Sequence, residues 1–561
     1  MSRVDAINEI AGKFIQTTVN EDGVLDGISF HNDDQFNFAY DVVDAIAEKK
    51  PDKLAMLHVS LEKEERYFSF GDMSRYASKT ANYFKGLGIK KGDRVMLVLK
   101  RHYQFWFSIL GLHKIGAVMI PTPNILVEKD YSYRFEAAGV RAIVCTGDGH
   151  CAEEVEKALA ARPVNLIKIM AKGEREGWEN FDEGVRQASD VFEKPEGADY
   201  PCGDDPMLMF FTSGTTGYPK IATHNFRYPL GHYITAKYWH QVDPEGIHFT
   251  IADTGWGKAL WGKIYGQWLC EAAVFTYDFD LFSAGEVLPM FAKYKITTFC
   301  APPTTYRLLI KENLSKYDFS SIQVATTAGE ALNPEVYERF YEATGLRMME
   351  GFGQTETTLL IGNLANTTPK AGSMGKASPL YQLEILRPDG TKAEPMETGE
   401  VAVRVADGVP DGLFTGYYMD EEMTGEVWHD GYYFTRDTAY RDEEGYIYFV
   451  GRIDDVIKTS GYRVGPFEVE SIIMELPFVL ECAVIPVPDK VRGQAIKALI
   501  VPAAGTEVTP QLKKTVMRYV RENSAHYKAP REVEFVESLP KTISGKIQHA
   551  ELRKREKAKR E

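Results

Sequence analysis

The chain has 561 residues, a formal net charge of -15, and 26% charged and 44% hydrophobic residues. That length exceeds what one hydrophobic core organises, so two or more packed units are expected. The acidic balance argues against a general nucleic-acid binder, which needs clustered Lys and Arg, and the opening MSRVDAINEI is neither an apolar leader nor a spanning helix. A cytoplasmic location is expected, and six scattered cysteines (Cys145, Cys151, Cys202, Cys270, Cys300, Cys482) with no C-x-x-C suit a reducing compartment and offer no zinc site.

In chain order, Gly71 to Leu87 reads as a helix, with Met73, Tyr76, Ala77, Tyr83, Phe84 and Leu87 apolar, and Val95 to Leu99 and Ala142 to Val144 read as strands. This is the rhythm of α/β layers. A loop rich in Gly, Ser and Thr follows at Phe211 to Lys220, FTSGTTGYPK. Gly214 and Gly217 let the backbone approach an anion, while Ser213, Thr215, Thr216 and Lys220 add hydroxyls and a positive charge. Tyr218 and Pro219 separate the last Gly from the Lys, so the spacing is not that of a P-loop.

Strand-like runs at Thr297 to Ala301, Val324 to Thr327 and Arg347 to Glu350 each lead into a Gly- or Pro-containing turn, the place where open α/β sheets bind ligands. After Gly399 the pieces become short and β-rich, with turn signals at Asp430-Gly431 and Glu444-Gly445. Gly451 to Gly465 is polar and turn-rich, and an amphipathic helix follows with Val469, Ile472, Ile473 and Leu476 on one face. A boundary at Asp454 divides the chain into 1–453 and 454–561. Glu551 to Glu561 reads as a solvated or frayed helix.

Five motifs stand in order: the Thr212 to Lys220 loop, EGFGQTET at Glu350 to Thr357, FTRD at Phe434 to Asp437, GRIDDVIKTSGYRVGPFEVE at Gly451 to Glu470, and LPKTISGKI at Leu539 to Ile547. Together they resemble the adenylate-forming superfamily of acyl-CoA synthetases, luciferases and peptide-synthetase adenylation domains, over almost the whole chain. ADTGWGK at Ala252 to Lys258 is most similar to medium-chain acyl-CoA synthetases. The resemblance implies a large α/β N-terminal domain with a β-rich subdomain and a small mobile α+β C-terminal domain. It also implies two half-reactions with Mg²⁺, ATP and CoA: a carboxylate attacks the α-phosphate to give acyl-adenylate and pyrophosphate, then the CoA thiol displaces AMP.

Residue by residue, the resemblance puts Thr212, Ser213, Gly214, Thr215, Thr216, Gly217, Tyr218, Pro219 and Lys220 on the ATP phosphates. Glu350, Gly351, Phe352, Gly353, Gln354 and Thr355 would meet ATP, with Phe352 against adenine, Thr355 facing the phosphates and Glu356 on the metal. Gly329, Glu330 and Ala331 would form the other adenine wall. Asp437 suits the ribose hydroxyls and Arg452 the ribose or phosphate, although relatives usually carry Gly where this chain has Arg436, which puts the local turn in question. Lys546 and Lys220 are the catalytic cations, Lys546 bridging carboxylate and triphosphate.

Asp454 matches the hinge, Arg463 a residue that contacts substrate or AMP, and Ser460, Gly461 and Tyr462 the pantetheine tunnel, with Arg492, Arg521, Ala529, Pro530 and Arg531 on CoA. His224, Trp256 and Gly257 would line the acid pocket, His224 being equally readable as structural. Gly353 stands where acetate-specific relatives place Trp, which implies a deeper pocket, while Trp256, Lys258 and Trp261 could shorten it from another wall. A short-to-medium, branched or aryl acid is expected. The alternatives are an enzyme that loads a separate carrier protein and an inactive nucleotide-binding regulator. No nucleic-acid or membrane partner is expected, and a homo-oligomer is left open.

Overall fold

Ser69 closes the strand Glu65–Ser69 and opens the helix Phe70–Gly86. Its Oγ accepts from the Asp72 N–H at 3.1 Å and the Asp72 carboxylate accepts from the Ser69 N–H at 3.1 Å, a reciprocal cap. Met73, Ala77, Ala81 and Phe84 recur at helical spacing and are buried against the helix Gln104–Ile115. That second helix, QFWFSILGLHKI, is apolar nearly all round, and every one of its residues is buried. Its polar groups are satisfied from outside: Trp106 Nε1 donates to Lys263 O at 2.8 Å and Lys114 Nζ pairs with Asp44 at 2.5 Å.

The computed structural model describes residues 7–212, 218–459, 462–489, 492–541 and 546–560. Two large sheets share one core around these helices. The eight-stranded sheet has parallel strands Arg94–Val98, Val118–Pro121, Val140–Thr146 and Ile167–Ala171 at its centre. Pro206–Thr212 continues it in parallel and Lys220–Asn225 turns back antiparallel, pairing Lys220 with Thr212. The nine-stranded sheet has parallel neighbours Leu54–Val59, Ala273–Tyr277, Ile247–Thr250, Thr298–Ala301, Val324–Ala328 and Met348–Phe352. The strands expected from sequence are all present, displaced by a residue or two at their ends.

A five-stranded β subdomain follows, built on Gly399–Arg404, Tyr432–Arg441 and Ile447–Arg452. The expected turn at Asp430-Gly431 joins Trp428–His429 to Tyr432–Arg441, with both residues at positive φ (51° and 78°), the conformation of a two-residue hairpin.

The smaller C-terminal domain has its own sheet, in which Val479–Asp489 and Gly493–Pro502 form the long hairpin, and its own core. Val469 and Ile473 of the helix Pro466–Met474 pack there with Val516 and Val520 of Pro510–Asn523. The chain's last helix differs from expectation. His549–Arg560 is docked, not frayed, because Leu552 is buried and Glu556 meets the buried Lys497 ammonium at 2.8 Å. No described helix is long and apolar enough to cross a membrane.

Candidate active site

Val324–Ala328 and Met348–Phe352 run side by side in parallel, Ala328 opposite Gly351, so the segments Gly329 to Ala331 and Gly353 to Thr357 leave the sheet at the same edge. Carboxyl ends of adjacent strands are where such sheets bind ligands. The Glu350 side chain does not reach the cleft. It is buried, accepts from the Leu332 N–H at 3.1 Å, and so props the Gly329 to Ala331 turn from behind. Burial pushes its carboxyl up to about 8, and the Leu332 bond only partly opposes that. Lys258 Nζ donates to Ala328 O at 2.6 Å, and Glu330 meets Arg307 at 3.3 Å. Phe352 is half-buried, 6.3 Å from the Phe449 ring.

The β subdomain supplies Asp437, which is 4% exposed. Its Oδ2 accepts from Gln354 Nε2 at 2.5 Å and its Oδ1 from Arg452 Nη1 at 3.2 Å, and the Tyr433 hydroxyl in turn donates to Gln354 Oε1 at 2.6 Å. Burial holds the carboxyl above its ordinary range, with Arg452, Gln354 and Lys546 pulling the other way. Glu356 is tied down by Tyr417, whose hydroxyl donates to Oε1 at 2.8 Å. Tyr417 also lies beneath Lys220 Nζ, 4.7 Å from ring centre to nitrogen. Burial lowers the Lys220 pKa, Glu356 opposes this, and the cations Arg436 and Arg452 add to it. Four positive charges and two carboxylates thus converge on one cleft.

Lys546 is exposed, and its charge acts on both Asp437, where it opposes the upward push of burial, and Lys258, where it adds to the downward one, so the C-terminal domain brings it toward this cleft. Pro219 and Tyr218 flank the phosphate loop: Pro219 O accepts from the Tyr133 hydroxyl at 2.9 Å, and the Tyr218 and Tyr133 rings stack at 4.8 Å. Ser213 to Gly217, Ser460 and Gly461, and the Arg463 side chain lie outside the described residues. Tyr462 is exposed and stacked on Tyr527, ring centres 4.0 Å apart, close in sequence to buried Ala529 and Pro530 and exposed Arg531. The Arg492 N–H donates to Asp489 Oδ1 at 2.9 Å, and Arg521 is exposed on the last turn of Pro510–Asn523.

His224 is fully buried and its Nε2 donates to Thr355 O at 2.8 Å, which fixes the tautomer and holds the loop carrying Thr355 and Glu356. Burial lowers its pKa to about 4, so the ring is neutral and supports the loop. Trp256 immediately precedes the helix Gly257–Gly262, and Gly257 faces Phe210. The indole of Trp261 fills the space beside Gly353: a Cβ there would lie 2.3 Å from Trp261 Cη2 and 2.5 Å from Thr358 O. Glycine is required because the ring comes from the other wall. Sequence reading missed Tyr417, Tyr433 and the Lys258 bond to Ala328, none of which belongs to a local pattern.

A family model described as AMP-binding enzyme matches residues 43–418, and one described as AMP-binding enzyme C-terminal domain matches 468–546. The chain belongs to the AMP-binding enzyme family. It is 38% identical over 536 residues to the mitochondrial acyl-coenzyme A synthetase ACSM3 of Mus musculus, covering 93% of this chain and 90% of that one. Among solved structures it is similar to the anthranilate CoA ligase AuaEII in complex with anthranoyl-AMP (TM-score 0.85, 27% identity, 94% of this chain and 98% of that one). It is also similar to an acyl-CoA synthetase of Brucella canis (TM-score 0.71, 31% identity, 95% and 96%).

Glu350 makes a pH prediction with a defined sign. Its ionisation costs the fold nothing below the ordinary value of 4.5, and the cost accumulates as pH rises to about 8. Glu350→Gln keeps the acceptor for Leu332 and never ionises. In urea titrations the variant should therefore gain stability over the parent as pH rises through this window, by up to about 1.4 kcal/mol per pH unit. A difference that does not change with pH would show that Glu350 is not held neutral.

Proposed function

We infer that the chain is an AMP-forming acyl-CoA synthetase, an acid–thiol ligase that makes an acyl-adenylate from a carboxylic acid and ATP and then passes the acyl group to CoA. The observation that carries this reading is the match over 93% of this chain to a protein named acyl-coenzyme A synthetase, together with a cleft in which Asp437, Arg452, Gln354, Glu356 and Lys220 are held by one another and by Tyr417. In the first half-reaction an acid oxygen attacks the α-phosphorus and pyrophosphate leaves. Two anions have to meet, and the Lys546 ammonium between them lowers their repulsion and stabilises the charge that builds up. Asp437, braced by Arg452 and Gln354, accepts from the ribose hydroxyls. Phe352 and the Gly329 to Ala331 turn enclose the adenine, and Lys220 with the loop before it neutralises the phosphates.

Glu356 is the residue that would hold Mg²⁺. The donor set fits: Tyr417 takes one carboxylate oxygen, the other has no hydrogen-bond partner among the described residues, and Mg²⁺ takes few protein oxygens beside those of phosphate and water. When bound, the ion would neutralise phosphate charge. Thr355 faces the same phosphates, and His224 holds its carbonyl.

The second half-reaction brings a thiol to the acyl carbon, expels AMP and cannot use the same cap. The 454–561 domain therefore swings about Asp454, withdraws Lys546 and brings Tyr462 and the segment Ser460 to Arg463 to the cleft, with Arg492, Arg521 and Ala529 to Arg531 on the CoA side. The Tyr462 and Tyr527 stack is a ready apolar surface there. All six cysteines are free thiols, which suits a reducing, cytoplasmic setting.

The acid is short to medium in length. Gly353 alone would open a deep pocket, but Trp261 occupies that space. Trp261→Ala should raise kcat/KM for acids two or more carbons longer than the parent's best acid by about tenfold, as methylene discrimination in apolar pockets allows; an unshifted chain-length profile would place the floor elsewhere. Lys546→Ala should cut acid-dependent ATP–pyrophosphate exchange by about a hundredfold or more while leaving thioester formation from supplied acyl-adenylate nearly intact. Equal loss of both steps would refute the role assigned to Lys546.

A further inference from the structure

Arg436 has a left-handed backbone, φ 61°, although it carries a long side chain. For an L residue other than Gly this conformation is unfavourable, and it persists only where surrounding contacts hold it. The strand register shows how it arises. Between Glu400 and Ala402 the pairing of Gly399–Arg404 with Tyr432–Arg441 slips, because Thr438 faces Glu400 whereas Phe434 faces Ala402. Residues 435–437 therefore bulge, and such bulges re-aim side chains next to active sites.

The contacts that hold the bulge are specific. The Arg436 N–H donates to Glu400 Oε1 at 3.0 Å, and its carbonyl accepts from the Ile453 N–H at 2.9 Å. Asp437 is thereby turned toward Gln354 and Arg452, and the guanidinium of Arg436 is turned the other way. Its Nη2 lies 3.2 Å and 3.4 Å from the two carboxylate oxygens of Asp454, and its Nη1 lies 3.6 Å from Glu426. One bulge thus joins the carboxylate assigned to the ribose to the residue assigned as hinge. A glycine would take this backbone at less cost but could not make the second connection.

We propose that Arg436 is a positioning residue that latches Asp454 in the arrangement that presents Lys546 to the cleft. The latch favours adenylation and must open for thioester formation. This inference rests on the two-step reading above, and it adds a residue that sets the balance between the steps. Arg436 also lies close enough to depress the Lys220 pKa, so a direct contact with ATP phosphates is the competing role.

Arg436→Gly suits the backbone and Asp454→Asn keeps the shape of its partner, so both should fold. In each, thioester formation from supplied acyl-adenylate should gain on ATP–pyrophosphate exchange by about three- to fivefold, the range of a partly exposed ion pair, and the double variant should go no further than either single one. Equal change in both steps, or additive single effects, would overturn the latch, as would a rise in the KM for ATP confined to Arg436→Gly, which would mark a phosphate contact. Hydrogen exchange supplies a readout independent of turnover. Without ligands, the amides of Ile453, Asp455 and Val456, bonded to Arg436 O and Arg452 O, should exchange about three- to fivefold faster in both variants. Unchanged exchange would overturn the latch even if the parent adenylated no acid, whereas absent adenylation in the parent with faster exchange in both variants would leave the latch standing and defeat only the reading of function.

Discussion

Asp437 is a carboxylate held away from water, and it remains usable only because Arg452 and Gln354 face its two oxygens. Arg452 is partly exposed while Asp437 is buried, so removing either partner of Asp437 leaves its charge less compensated than burial requires. The rest of the cleft follows from this constraint. Gln354 comes from just past the carboxyl end of Met348–Phe352, Arg452 from the last strand before the C-terminal domain, and Asp437 from the strand paired with it. Three elements must meet within hydrogen-bond distance, which fixes how the β subdomain sits on the large sheets.

The same constraint explains how an acidic chain handles anions. The chain as a whole carries a net charge of -15, while Lys220, Arg452 and Lys546 are the cations that the proposed reaction brings to phosphate and carboxylate. Burial lowers the pKa of Lys220, Glu356 opposes this, and the neighbouring Arg436 and Arg452 charges add to it. A cluster of like charges is unstable without anions, so ligand and fold are coupled: binding relieves repulsion that the unliganded cleft carries. In the proposed two-step reaction, carrying Lys546 on the C-terminal domain would let its charge be present in one step and absent in the next.

Much of this was legible in the sequence. The strands beginning near Val324 and Arg347 and the five motifs were readable because each is local: a run of apolar residues, a glycine, a cation at fixed spacing. The pieces that were not legible depend on pairing across long separations. Tyr417 reaches Glu356 because Gly416–Tyr417 adds to the edge of Lys220–Asn225, almost two hundred residues away, with Tyr417 opposite Ala222. Trp261 reaches Gly353 from another part of the chain, and only the resulting distance shows that its ring fills the space beside that glycine. Arg436 was visible as a departure, but its left-handed conformation and its reach to Asp454 required coordinates. The docked final helix was misread because alternating charges look solvated until one of them, Glu556, meets a buried lysine.

The most direct test is release of AMP and pyrophosphate from Mg-ATP, with and without CoA, across acetate, propionate, butyrate, 2-methylbutyrate, hexanoate, octanoate and benzoate. The account predicts equal amounts of both products, dependent on acid and on CoA, with the best acid longer than acetate. Absence of acid-dependent pyrophosphate formation across these acids, or formation that proceeds without any CoA-dependent release of AMP, would contradict it.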